Sequence, residues 1–257
     1  MQSEATEKVV TAALIIIGNE ILSGRTQDTN TSYIALKLAE KGIRLREVRV
    51  IPDTEEHIIE TLNKLRTRYD YVFTTGGIGP THDDITAESV AKAFGVELPI
   101  NDEAFRILEQ YYGIEKLTPA RTKMARIPVG ATLIPNSVSA APGFVIGNVH
   151  VMAGVPRIMQ AMLDHILGGL QSGAAVLTAS LACGLAESDL AEEVGMLQSE
   201  HPDIEIGSYP QFRVGVLGLS IVMRSTVKES IETAMNKLIL IVRNHGDEPM
   251  VSYQFSE

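Results

Sequence analysis

The chain has 257 residues, 45% hydrophobic and 21% charged, enough to bury the core of one large domain or two smaller ones. A formal net charge of −10, 5% aromatic residues and no Trp argue against a nucleic-acid partner, which needs a basic surface or a stacking platform. The lone Cys183 excludes an internal disulfide, and the apolar run Val9 to Ile17 is too short to cross a membrane and lacks a signal-peptide pattern, so a cytoplasmic protein with no membrane partner is expected.

Taken in chain order, "VVTAALIIIG" predicts a central strand covered on both faces. After the loop "GNEILSGRTQDTN", Ile34 and Leu38 mark a helix over Thr31–Lys41 that stops at Gly42. "RLREVRV" alternates as a strand, and Ile58, Ile59, Leu62 and Leu65 give the next helix its apolar face. "YDYVFTT" is a third strand, followed by a glycine-rich turn and a helix over Thr86–Phe94. Strands and helices in strict alternation predict an α/β domain with a mostly parallel sheet and right-handed crossovers.

"NDEAFRILEQYYG" is helical, whereas "LTPARTKMARIPVGATLIPNSVSAAPGF" should be mostly loop and short strand. "VIGNVHVMAGVP" reads as paired strands, and Pro156 opens a helix to Leu167 in which Met159 and Met162 are core residues. "GGLQSG", residues 168–173, is a linker, dividing a larger domain (1–170) from a small α+β domain (174–257). The smaller domain should run strand (Ala175–Ala182), helix (Glu187–Gln198), strand (Ile204–Tyr209), strand (Arg213–Arg224), helix (Val227–Arg243).

The most chemically loaded stretch is "TTGGIGPTHDDITAESVAKAFG", residues 74–95. Gly76, Gly77 and Gly79 between a strand and a helix let backbone amides approach a phosphate at a helix start. Asp83 and Asp84 would repel that phosphate unless a divalent cation sat between them, and Mg²⁺ commonly takes one or two carboxylates with phosphate oxygens and water. The competing reading has one aspartate capping the helix and the other solvated. Glu20, Asp28 with Asn30, and Asp53 stand in loops after other strands, at the edge where parallel sheets bind ligands. Each alone also suits a cap or turn. His82 is a candidate base or leaving-group acid, or a solvated loop histidine.

The motifs "IIIGNEILSGRTQDTN", "VIPDTEEHI", "TTGGIGPTHDDIT", "NSVSAAPGF" and "AGVPRIM" resemble, in this order, the molybdopterin-binding-like domain of the competence/damage-inducible protein A (CinA) family. "GGIGPTHDDIT" is also similar to the amino-terminal domain of eukaryotic FAD synthases, and residues 175–253 resemble the KH-type domain that follows in CinA-type chains. The resemblance implies the three-layer α/β fold of MogA- and MoaB-type proteins and a dimer or trimer. It implies Asp53, Asp83 and Asp84 as metal or catalytic carboxylates. Gly76, Gly77, Gly79, Thr81 and Thr86 match the phosphate-loop motif, and Glu20, Asp28 and Asn30 the first-loop motif. Gly143, Gly154 and Pro156 match the two later motifs as ligand-binding positions.

The activity this implies is metal-dependent hydrolysis of a nucleotide pyrophosphate, ADP-ribose or FAD, with Mg²⁺, Co²⁺ or Mn²⁺. An alternative is a molybdopterin-binding protein or adenylyltransferase, with the pterin as ligand. A third is a non-catalytic assembly protein, because Ser139-Ala140 and Ile158 stand where many such domains have Gly-Thr and Glu. In the small domain five Lys/Arg face twelve Asp/Glu. Its "GVLG" at 215–218 falls within an apolar strand-like run, so RNA binding is not expected.

Overall fold

In the computed structural model, which describes residues 9–213 and 216–254, the chain divides into two compact units, the first ending at Gly173 and the second starting at Ala174. In the first unit β1 (Val10–Ile17) is flanked by β2 (Ile43–Ile51) and β3 (Tyr71–Thr75), both parallel to it. β6 (Val149–Met152) runs parallel to β3, and antiparallel β5 (Gly143–Ile146) and β4 (Thr132–Ile134) complete the order β2-β1-β3-β6-β5-β4.

Successive β1 side chains point to opposite faces, and both faces are buried. Ala13, Ile15 and Ile17 join a core with Ile58, Leu62, Val90 and Leu108 from α3 (Glu55–Arg66), α4 (Thr86–Phe94) and α5 (Asp102–Tyr112). Ala12, Leu14 and Ile16 join another with Leu38, Met159, Met162 and Leu163 from α2 (Asn30–Glu40) and α7 (Pro156–Leu167). That double burial is why the strand is apolar without alternation. Each fully buried Leu or Ile contributes about 1.5–3 kcal/mol of transfer free energy. The layers are helices, sheet, helices, and both methionines are core residues.

Two short helices depart from the sequence expectation. α1 (Asn19–Leu22) interrupts the loop after β1, and α6 (Pro119–Lys123) lies in the segment expected to be loop and strand. The local reason for α6 is plain: the Thr118 side chain accepts the Arg121 N–H, and Pro119 takes the first turn, where a missing N–H costs nothing.

The second unit is a four-stranded antiparallel sheet ordered β10-β7-β9-β8, formed by β7 (Leu177–Cys183), β8 (Glu205–Arg213), β9 (Val216–Ser225) and β10 (Met250–Gln254). Leu181, Ile221 and Met223 bury one face against Leu190 and Leu197 of α8 (Glu187–Glu200) and Met235 and Leu238 of α9 (Lys228–Asn244). β10 is absent from the sequence reading. It is an edge strand, mostly exposed, so burial leaves no periodic signature in "MVSYQ". Of the "GVLG" stretch, Val216–Gly218 belong to β9, and Gly215 lies outside the described residues. Burial pushes the Cys183 thiol above its ordinary range, which favours the protonated form. Among the described residues no helix is long and apolar enough to cross a membrane.

Candidate functional site

β2, β1, β3 and β6 point the same way, so the loops after them gather at one edge of the sheet. β1 leads to β2 on one side and β3 returns on the other, and this switch point is where open α/β sheets place ligands. A cleft of about 560 Å³ opens there, lined by Glu20 after β1, Asp53 after β2, Gly76, Gly77, Gly79, Asp83 and Asp84 after β3, and Gly154 and Pro156 after β6. Its size lies within the usual range for small-molecule sites.

The turn after β3 is fixed by contacts that only glycine permits. Gly76 has φ +105°, and a Cβ there would lie 2.1 Å from the Ile17 carbonyl oxygen. Gly77 has φ +68°, and its Cβ would lie 2.2 Å from the Thr86 Oγ1. Thr86 is fully buried and its hydroxyl donates to the Gly76 carbonyl at 3.0 Å, while its N–H donates to the Gly77 carbonyl at 3.0 Å. Thr86 therefore shapes the turn from beneath and does not line the cleft. Gly154 approaches the same turn from β6, since a Cβ on it would meet the Gly76 Cα at 3.3 Å.

Neither aspartate caps α4, whose N-terminus carries no side-chain cap. The Asp84 carboxylate turns back and accepts the Thr81 N–H at 2.8 Å and the Thr81 hydroxyl at 2.5 Å. The same hydroxyl lies 2.5 Å from Asp83 Oδ1. A hydroxyl has one proton, so two carboxylates converge on one donor. The Thr81 hydrogen bond holds the Asp83 carboxyl below its ordinary range, with smaller help from its own backbone N–H, His82 and Lys123. Lys123 Nζ donates to the Thr81 carbonyl at 3.1 Å, tying α6 to this loop.

Other predicted residues serve elsewhere. The His82 side chain is 98% exposed, only 3.9 Å from Asp83 Oδ1, and outside the cleft lining. Sequence adjacency to two aspartates does not aim a side chain inward. Asp28 accepts the N–H groups of Asn30 and Thr31 at the start of α2, and Asn30, 6% exposed, donates to the Gly154 carbonyl at 2.8 Å. Both border a smaller adjoining cavity of about 60 Å³ that also touches Glu20. Gly143 is buried in β5, with its missing Cβ against the Val151 carbonyl, and is not among the residues that line the cleft. Asp53 lines the cleft but also accepts the Asn19 N–H at 3.0 Å, anchoring α1.

The far wall of the cleft contains two residues with no sequence signal, Tyr112 and Met124, beside positions of the motifs "NSVSAAPGF" and "AGVPRIM". It comprises Tyr112, Met124, Asn136, Ser139 and Ala141, with Ile158 from α7. Asn136 organises it: the side chain donates to Ser139 Oγ and the Ala141 carbonyl and accepts the N–H groups of Val138 and Ser139. Ala140 sits at φ +51°, a conformation that favours glycine.

The charge balance of the cleft is one-sided. Four carboxylates line it, and among the described lining residues there is no Lys, Arg or His. Asp83 and Asp84 offer oxygen donors only, beside a hydroxyl, which is the donor chemistry of Mg²⁺ or Mn²⁺. Among the described residues no three His, Cys, Asp or Glu side chains converge as a ready-made metal cage. Asp53 is thus not assembled with Asp83 and Asp84 into a preformed three-carboxylate site.

Residues 13–171 match the family model "Probable molybdopterin binding domain". The chain belongs to the molybdopterin-binding-domain family. Residues 175–245 of this family member match "FAD synthase, middle domain". A protein of Pyrobaculum aerophilum is 34% identical over 260 residues, covering 94% of this chain and 98% of that one. A CinA-like protein of Citrifermentans bemidjiense is 39% identical over 191 residues, 70% of this chain but 46% of its own length. The crystal structure of protein CinA from Thermoplasma acidophilum shares 38% identity at a TM-score of 0.59, covering 62% of this chain and 96% of that chain. The molybdopterin-binding-domain and CinA resemblances read from the motifs, and the α/β fold they imply, are borne out.

Proposed function

We propose that this protein hydrolyses the pyrophosphate bond of a dinucleotide such as ADP-ribose or FAD, with a divalent cation delivered together with the substrate. The observation that carries this reading is a glycine turn set in a cleft lined by four carboxylates and, among the described lining residues, by no Lys, Arg or His. A pyrophosphate entering alone meets four carboxylates along the lining, with Lys123 beside the loop engaged at the Thr81 carbonyl. One entering with a cation meets hard oxygen donors on Asp83 and Asp84 and the turn amides of Gly77–Gly79, the Gly76 N–H being held by the Met152 carbonyl at 3.1 Å.

Bound there, the cation supplies charge neutralisation and acidifies a coordinated water. The chain's own residues do the rest. Asp83 and Asp84 would hold the ion, and the turn amides would orient the phosphoryl oxygens. The Thr81 hydrogen bond shifts the Asp83 carboxyl downward, which makes it a weaker proton acceptor and suits it to binding rather than base catalysis. Glu20 and Asp53 are the remaining cleft carboxylates and are assigned to orienting the attacking water and accepting its proton. Water adds to one phosphorus and the bridging oxygen leaves with the other phosphoryl group, giving AMP and ribose 5-phosphate, or AMP and FMN. His82 has no part in this scheme.

The test is a chromatographic assay for AMP from ADP-ribose and FAD with Mg²⁺, Mn²⁺ or Co²⁺, beside an Asp84→Ala control. Cation-dependent AMP that the control lacks supports the reading; no turnover with any cation, or an equally active control, overturns it. The family match favours a second reading, in which the cleft retains a molybdopterin-type pterin without cleaving it. Pterin fluorescence co-purifying with the protein, with no AMP formed, would select that reading.

A further inference from the structure

We propose that Tyr112 is the platform for a planar heteroaromatic ring of the ligand, so that the cleft recognises a phosphate group and a flat ring together. This deepens the phosphate reading above and rests on it for the polar half of the ligand. Among the described lining residues Tyr112 is the one aromatic side chain.

Its placement is built in several steps. α5 is capped by Asn101, whose side chain accepts the N–H groups of Glu103 and Ala104 at 3.0 and 2.9 Å. Fully buried Ala104 and Leu108 fix the rotation of the helix on the core, and Tyr112 is its last residue before Gly113 at φ +79°. The Arg121 guanidinium lies 4.4 Å from the Tyr112 ring centroid. That guanidinium is itself held by donating to the Lys116 carbonyl at 2.7 Å. The Tyr111 ring stands against Tyr112 edge-on, centroids 4.9 Å apart at 85°. Arg121 covers one face of the ring and, with Tyr111, holds it in one orientation, so a ligand ring would stack on the opposite face at a lower entropic cost.

Around it, Ile78, Met124 and Ile158 supply apolar lining in the same cleft that carries the carboxylates and the glycine turn. Aliphatic and thioether groups beside an aromatic ring suit a flat, polarisable group and offer a free sugar or bare phosphate little. Adenine and isoalloxazine both have this chemistry.

The experiment is calorimetric titration of wild type, Tyr112→Phe, Tyr112→Leu and Tyr112→Ala in Mg²⁺ with ADP-ribose, inorganic pyrophosphate, adenosine and riboflavin. Tyr112→Leu keeps apolar volume if the alanine variant melts early. The expected result is that Tyr112→Leu weakens ADP-ribose roughly 10-fold or more, Tyr112→Phe stays near wild type, and pyrophosphate binding is unchanged throughout. Adenosine and riboflavin have a ring and no phosphate, so they judge the ring subsite separately. A ring compound binding wild type and Tyr112→Phe, and markedly less well Tyr112→Leu, supports the assignment and shows which ring is preferred. Neither ring compound binding wild type, or either binding Tyr112→Leu equally well, overturns it. Pyrophosphate failing to bind wild type while a ring compound does would instead overturn the phosphate reading.

Discussion

The buried hydroxyl of Thr86 donates to the carbonyl of Gly76 at 3.0 Å, and this bond joins the start of α4 to the turn that forms the cleft floor. Thr86→Val keeps the shape and removes the donor, leaving the Gly76 carbonyl buried without it. The expected cost is about 1–3 kcal/mol, read as a lower melting temperature of the first unit, by about 2–4 °C for each kcal/mol. An unchanged melting temperature would mean that the turn is held by its backbone alone.

At the proposed cation site, Thr81 should set the acid limit of binding. Its hydroxyl is the leading reason that Asp83 remains a carboxylate below the usual pH range. A depressed carboxyl keeps its charge as pH falls and loses it only on passing through the lowered value, so cation binding should persist into acid. In Thr81→Val that protection goes, and the acid limb of Mn²⁺ binding should move to higher pH, as followed by Mn²⁺ relaxation or calorimetry. Superimposable limbs would show that Thr81 does not tune the pair.

His150 makes the first unit acid-sensitive independently of the cleft. It lies on β6, 6% exposed, with its ring stacked on Phe73 at 5.0 Å and Nδ1 buried without a partner. Burial lowers its pKa to about 4. Above about pH 6.5 both folded and unfolded chains are neutral there, and the residue imposes no penalty. As pH falls below that, the unfolded chain takes a proton that the folded one refuses. Stability should therefore decline between about pH 6.5 and 4, by about 3 kcal/mol in all. His150→Leu should flatten this part of the profile in urea melts at graded pH, and a slope identical to wild type would assign the acid sensitivity elsewhere.

The parts of the molecule legible from sequence are those governed by local pattern. β1 was recognisable because both of its faces are buried and every position but Thr11 is apolar. The glycine turn was recognisable because Gly76 and Gly77 occupy conformations and contacts that other residues cannot. Of the far wall of the cleft only the motif residues Asn136, Ser139 and Ile158 stood out; Tyr112 and Met124 did not, because they come from segments with no shared spacing and meet the rest only in the folded unit. α6 did carry a local signal, Thr118 followed by Pro119, outweighed by the surrounding Pro and Gly. For His82, Asp28 and Thr86 the residue types were suggestive and the directions were not: one points to water, one to a helix start, one into the core.

The central claim is that this acidic cleft takes a phosphate ligand only in company with a divalent cation. Calorimetric titration of ADP-ribose into wild type and Asp84→Asn, in Mg²⁺ and in EDTA, tests it most directly, since asparagine keeps an acceptor for Thr81 but removes the charge. Binding is predicted for wild type in Mg²⁺, with loss in EDTA and at least a tenfold weakening in Asp84→Asn. Equal affinity with and without Mg²⁺, unaffected by Asp84→Asn, would contradict it.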